Sequence, residues 1–319
     1  MKIYITSEAA ISPWDHDFSS PAKGGAYPCI EPNYSDYLDP RAMRRMSRIM
    51  KMGLTTALAC LNKTNTGNPD AIITATALGC LEDTAAFLNK LSHKEGQLLN
   101  PTPFIQSTHN TVGGAIALQL KCNSYNNTFS HQGFSFESAL TDAMLLLREK
   151  QNGNILLGAL DELIEPVSTI LNQLRELKPS NKNMAGSGEG VIFFNLSGAY
   201  APNALELVHF ETLFNPTADI LASTYSSIVE CEERPGVILA GINGSFKNDK
   251  HYNWLLSLEK EIPVIAYKNY CGEYPTASAF AHWLACYMLR NGFNNKQPES
   301  ILIYNHFEGR NHSFSVIKK

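Results

Sequence analysis

The feature that most constrains this chain is an alternation: short β-prone runs are separated by longer amphipathic ones along most of its length. Such a pattern folds as helices packed on a sheet. The pattern predicts strands over 2–6, 71–76, 126–130 and 154–158. Asp39-Pro40 supplies a cap and a first-turn proline to a helix expected over 41–61. Further helices are expected over 81–91 and 136–150, and a Gly-, Asn- and Ser-rich loop over 181–190. A second series follows the run 191–196, with strands over 205–210, 236–242, 264–267, 301–305 and 313–317 and helices over 217–230, 249–260 and 275–290. The repeat of the pattern sets a boundary near Ala201, giving an N-terminal half over 1–200 and a shortened C-terminal half over 201–319.

Composition narrows the functional classes. Of 319 residues, 44% are hydrophobic and 18% charged, which excludes global disorder. The 26 basic residues against 30 acidic ones give a net charge of -4, a poor footprint for a nucleic-acid partner. No apolar run reaches the roughly 18 residues of a membrane helix, and Met-Lys-Ile-Tyr-Ile-Thr-Ser at the N-terminus lacks a signal peptide's apolar core, so a cytoplasmic protein without membrane contact is expected. The 7 cysteines are scattered and form no Cys-x-x-Cys pair, which argues against a disulfide framework or a zinc site.

Several short segments, in order along most of the chain, resemble the β-ketoacyl-acyl carrier protein synthases of the thiolase-like superfamily. Tyr4-Ile-Thr-Ser-Glu-Ala-Ala-Ile-Ser-Pro resembles the opening strand and turn, and Thr76-Ala-Leu-Gly-Cys-Leu-Glu-Asp-Thr84 a strand-to-helix turn. Gly158-Ala-Leu-Asp-Glu162 and Gly188-Glu-Gly-Val-Ile-Phe-Phe194 resemble a strand end and the Gly-Glu-Gly strand. Condensing members of the family use a Cys nucleophile and two His residues, the thiolate accepting the acyl chain and the imidazoles assisting decarboxylation and oxyanion stabilisation. The resemblance places Gln132, within Asn127-Thr-Phe-Ser-His-Gln-Gly-Phe-Ser-Phe-Glu-Ser-Ala-Leu140, at the Cys position. It places Asn243, in Val237-Ile-Leu-Ala-Gly-Ile-Asn-Gly-Ser245, at the first His position, with Asp249 two residues earlier than usual. Lys268-Asn-Tyr-Cys-Gly-Glu273 keeps the Lys and Gly of the third motif and puts Glu273 at the second His position. A carboxamide cannot form an acyl thioester, so no catalytic residue is expected. In Asn305-His-Phe-Glu-Gly-Arg-Asn311, Gly309 stands where the family has a Phe that gates the acyl pocket.

Other residues carry competing readings. Gln132 is either a polar bridge in a buried turn or the lining of a partner-facing cavity. Glu273 with Lys268 reads as a structural ion pair. Phe134, Phe136, Phe307 and Gly309 are acyl-pocket or interface candidates, the first two reading foremost as core residues of the buried helix. His131, His109 and Glu137 match no metal-ligand spacing, and Cys80 reads as an inert buried thiol. Arg41, Arg44, Arg45, Arg48 and Lys51 form a basic stripe on one expected helix, a solvated face or a docking surface for an acidic carrier protein.

The resemblance implies a thiolase-like α/β fold of two related βαβαβ halves, with mixed five-stranded sheets and helices layered between and outside them. The triple substitution is similar to the chain-length factors, the inactive partners of type II polyketide and aryl-polyene ketosynthases. It implies a non-catalytic subunit needing no cofactor, whose partners are an active ketosynthase or a second copy and an acyl carrier protein. Residual acyl transfer or malonyl decarboxylation through other groups, and a homodimeric carrier-protein scaffold, are the competing readings. The strand 126–130 is expected at a sheet edge, where members of the superfamily pair with the other subunit.

Overall fold

Ten strands form one mixed sheet in two sets of five. The computed structural model describes residues 2–19, 24–64, 67–93, 101–150, 153–176, 184–231, 234–294 and 296–319. The first set is β1 (Tyr4–Ile11), β2 (Ala71–Ala75), β3 (Tyr125–Phe129), β4 (Asn154–Asp161) and β5 (Gly190–Ser197). The second is β6 (Leu205–Phe214), β7 (Val237–Ala240), β8 (Val264–Ala266), β9 (Ser300–Phe307) and β10 (Asn311–Lys318). Each set runs from its outer edge inward in the order third, second, fourth, fifth and first strand, so the two halves share one topology. They join where Tyr4 and Ile5 of β1 pair with Glu206 and Leu205 of β6. The strand before Gln132, β3, lies at one free edge of the sheet, as the resemblance implied.

Twelve α-helical segments accompany the strands among the described residues: α1 (Pro40–Met43), α2 (Arg48–Leu61), α3 (Leu81–His93), α4 (Pro101–Gln106), α5 (Thr111–Leu120), α6 (Ser135–Glu149), α7 (Glu165–Glu176), α8 (Ala218–Cys231), α9 (Phe246–Asp249), α10 (Asn253–Leu258), α11 (Lys268–Cys271) and α12 (Ala277–Asn291). Successive strand residues point to opposite faces, and both faces are buried. Ile72, Leu156 and Phe193 pack under α2 and α5, whereas Ile73, Leu157 and Phe194 meet α6 and α12 in the centre. Ile238, Leu302 and Val316 face α8 and α10 on the far side. Helices therefore lie between and outside the two strand sets, and α6 and α12, the longest at 15 residues each, are the shared inner layer.

Three expectations need correction. The helix expected over 41–61 is two helices, because Ser47 is extended (φ -65°, ψ 169°) and restarts the chain at Arg48. That break lets the Arg48 guanidinium reach buried Glu189, so tertiary pairing overrides a sequence of good helix formers. The helix expected over 249–260 begins at Phe246, is broken around Tyr252, whose ring is fully buried, and ends at Leu258 where Glu259 caps the N–H groups of Glu261 and Ile262. In the loop expected over 181–190, Ser187–Gly188 pairs in parallel with Ala26–Tyr27; residues 181–183 lie outside the described ones. Helices α4, α5 and α7 had no counterpart in the sequence reading. The Gly113-Gly114 pair within α5 reads as a breaker, yet Gly53 of α2 admits Val112 so closely that a Cβ there would stand 2.4 Å from its Cγ1. No described helix is long and apolar enough to cross a membrane.

Candidate functional site

The site is built where the edge strand β3 turns into α6. After Phe129 the chain reaches Gln132 with φ 49°, a left-handed conformation that a residue with a side chain adopts at a cost. The turn is held by its own groups: the Ser135 hydroxyl donates to the Gln132 carbonyl at 2.7 Å, and the Phe134 N–H donates to the His131 carbonyl at 2.9 Å. Gly133 makes the turn possible, since a Cβ there would lie 2.4 Å from the Phe307 ring. Gln132 is exposed, not in a buried turn as one reading had it, and its carboxamide extends along a cavity of about 490 Å³ without a hydrogen bond to any described residue.

The other two matched positions reach the same place from the second half. Lys268 of α11 is buried and donates to Glu273 Oε1 at 2.9 Å. Asn243 Nδ2 donates to Glu273 Oε2 at 2.6 Å, so both carboxylate oxygens are taken. Asn243 is positioned in turn by Asp249, which accepts from the backbone N–H groups of Asn243 and Gly244. Lys268 and Glu273 line the cavity with Gln132.

Side chains that the sequence reading missed complete the wall. Asp161, at the end of β4, accepts from the Thr76 hydroxyl at 3.0 Å and the Ala77, Leu78 and Thr276 N–H groups at 2.9, 3.3 and 3.1 Å. It thereby ties the turn after β2 to the start of α12; burial raises its pKa while those donors oppose the rise. Glu162 accepts from the Glu82 N–H at 2.9 Å, and burial pushes it up to about 7, with the Glu82 N–H acting against that shift. Leu78, Leu163, Val167, Leu171 and Phe307 give the cavity an apolar side. His306 also lines it, but its Nε2 donates to the Asn248 carbonyl at 3.1 Å and its Nδ1 accepts from the Gly309 N–H at 3.2 Å; burial lowers its pKa to about 3. A neutral ring with both nitrogens engaged is no general base.

Residues 23–177, just under half of the chain, match the family model described as beta-ketoacyl synthase, N-terminal domain, so that segment is similar to this domain. No curated protein matches the chain in sequence. Solved structures similar to the whole chain include a type II PKS acyl-carrier protein in complex with its ketosynthase bound to the hexaketide (AntDE:AntF), with a TM-score of 0.78 and 17% identity over 99% of each chain. The ketosynthase ApeO in complex with its chain length factor ApeC from Xenorhabdus doucetiae gives 0.76 and 12% identity over 99% of this chain and 98% of that one. The ishigamide ketosynthase/chain length factor gives 0.75 and 13% identity over 100% and 99%. The chain therefore has the thiolase-like ketosynthase fold.

In this ketosynthase-like frame the remaining candidates divide. Phe307 lines the cavity, whereas Phe136 is a core residue 4.9 Å from the His282 ring and 6.0 Å from Phe194, and lies outside the cavity wall. Phe134 is buried beside His131, and Gly309 faces the His251 ring instead of the cavity. The basic stripe is not one helical face: Arg41, Arg44 and Arg45 are exposed before the break, while Arg48 is bidentate to Glu189 at 2.6 and 2.7 Å and also pairs with Glu31. Lys51 lies over the Tyr34 ring at 5.7 Å. His109 packs against Gly79, and Glu137 is fully buried, accepting from Asn305 at 2.9 Å. Among the described residues no cluster of His, Cys, Asp and Glu could hold a metal ion. The Cys80 thiol is buried and pushed up to about 12. Asp161, Glu162 and His306 stand inside segments that resemble the family, but no sequence signal gives their partners, because those lie on elements far apart in the chain.

Proposed function

We propose that this protein is a non-catalytic ketosynthase-like subunit of the chain-length-factor type, pairing with an active ketosynthase in polyketide, aryl-polyene or fatty-acid-like biosynthesis and bounding the tunnel that sets chain length. The observation that carries this reading is the convergence of Gln132 and Glu273 on one cavity, with Asn243 and Lys268 holding both carboxylate oxygens of Glu273. A carboxamide offers no thiolate to accept an acyl group, and the buried Cys80 and Cys271 have pKa values raised by burial. The imidazole at hand is locked neutral. Among the described residues lining the cavity, no free cation or imidazole stands ready to stabilise the charge that decarboxylation, the competing reading, would develop.

Pairing is supported by the free edge of β3, whose Tyr125 is exposed, and by the exposed Phe104 and Ile105 of α4. An uncovered edge is a liability unless a partner closes it. The two solved complexes named above show a ketosynthase with its chain length factor and a ketosynthase with its acyl-carrier protein, which supports the kinds of partner proposed here. Size-exclusion chromatography with light scattering tests the reading. The chain alone is expected as a dimer, and a Cys-His-His ketosynthase is expected to convert it to a heterodimer with an interface above roughly 1,600 Å². A well-behaved monomer that ignores the ketosynthase overturns the reading, and a homodimer unchanged by it favours the scaffold alternative. Mass spectrometry after incubation with acyl carrier protein is expected to show no adduct at residue 132, and Gln132→Cys alone is expected not to restore condensation.

A further inference from the structure

Among the described residues, the cationic side chain on the cavity wall and two N–H groups at helix starts near it are answered by the protein's own carboxylates. Lys268 is the one lysine or arginine among the described residues lining it, and Glu273 takes it at 2.9 Å. Thr276, the residue just before α12, donates its N–H to Asp161 at 3.1 Å. The first turn of α3 presents the Glu82 N–H, and Glu162 accepts it at 2.9 Å. Helix N-termini and lysines are the features that ordinarily hold anions, and here both kinds are occupied from within. Arg48, behind this wall, is likewise spent on Glu189 and Glu31. In the turn at Gln132 the His131 and Phe134 N–H groups are taken by the Ser135 hydroxyl and the His131 carbonyl. The rest of the described wall is an apolar side, carboxyl groups and neutral polar groups, the Gln132 carboxamide and the Tyr274 and Ser278 hydroxyls among them.

We infer that the cavity beside Gln132 selects uncharged acyl chains and rejects chains that end in a carboxylate. An entering carboxylate would lose its water and meet Glu273, and Glu162 when ionised, with no free lysine or arginine among the described lining residues, a desolvation that the neutral hydroxyl and amide donors present repay only in part. An alkyl chain meets Leu78, Val167, Leu171 and Phe307 and gains from leaving water. Discrimination is therefore electrostatic and resides in Glu273: removing its charge sets Lys268 free as an anion partner.

The inference rests on the cavity being an acyl site, as in the function proposed above, and the test separates the two. Isothermal titration of the purified full chain with octanoyl-pantetheine and with its carboxylate-ended counterpart, suberoyl-pantetheine, reads the discrimination with length and linker matched. Octanoyl-pantetheine is expected to bind at least tenfold more tightly. Glu273→Gln, checked for its fold by circular dichroism and thermal melting, is expected to bring the ratio to threefold or less by tightening the suberoyl ligand. Equal affinities in the unaltered chain, or tighter suberoyl binding, overturn the inference, and because that comparison needs no variant it stands even if Glu273→Gln fails to fold. Binding of neither ligand also overturns it, while heterodimer formation with a ketosynthase would leave the proposed subunit role intact.

Discussion

The two halves repeat one strand order but differ at the equivalent turn between their edge strand and inner helix. In the first half, β3 leads through Gln132 into α6, and the side chain at that turn is exposed, strained at φ 49° and unbonded among the described residues. In the second half, β8 leads through Lys268 and Glu273 into α12, and the turn is clamped by an ion pair and an amide donor. One turn is open and the other locked. The fold demands a backbone reversal at both places, and glycine at 133 and 272 serves it; the side chains are free to differ because neither is needed to fill the core. The difference in side chains thus leaves the shared frame untouched.

Asp161 ties the turn after β2 in the first half to the start of α12 in the second, and breaking it is expected to cost most. Asp161→Ala leaves the Ala77, Leu78 and Thr276 N–H groups and the Thr76 hydroxyl without their acceptor, for about 4 kcal/mol by chemical denaturation. An m-value change would mean that the halves unfold separately.

Glu162 gives the next largest effect, as a dependence on pH. Its folded pKa of about 7 lies above the ordinary glutamate value of 4.5, so the native state binds the proton more tightly. Its contribution favours folding below about 4.5 and is lost as pH rises through 7, a loss of order 3 kcal/mol. Glu162→Gln is expected to remove that fall, so melting curves of the two proteins from pH 5 to 8 should diverge, with the variant gaining at the alkaline end. Parallel curves would place the carboxyl's titration elsewhere.

The locked turn should be sensitive and the open one tolerant. Glu273→Ala strands the buried Lys268, and an expected cost of about 2 kcal/mol is below that of a fully buried pair because the Glu273 side chain is 30% exposed. Gln132→Gly relieves the positive φ and is expected to stabilise by about 0.5 kcal/mol or to leave stability unchanged. Equal sensitivity at both turns in thermal unfolding would remove the contrast between them.

The sequence by itself determined the α/β class, the ten strand positions to within a few residues and the segments that matched a ketosynthase, because apolar runs at strand and helix spacing are local and survive substitution. The identities of Gln132, Asn243, Lys268 and Glu273 were legible for the same reason, each standing in a motif whose neighbours kept the frame. Tertiary structure alone decided the break at Ser47, since nothing near Arg48 in sequence announces Glu189, 141 residues away. It alone showed that Asp161 and Glu162 spend their charge on the N-termini of two helices. Hydrogen bonds between residues distant in the chain leave no periodic trace, so a side chain's partner, and with it the net charge of a cavity, exists only once the chain has folded.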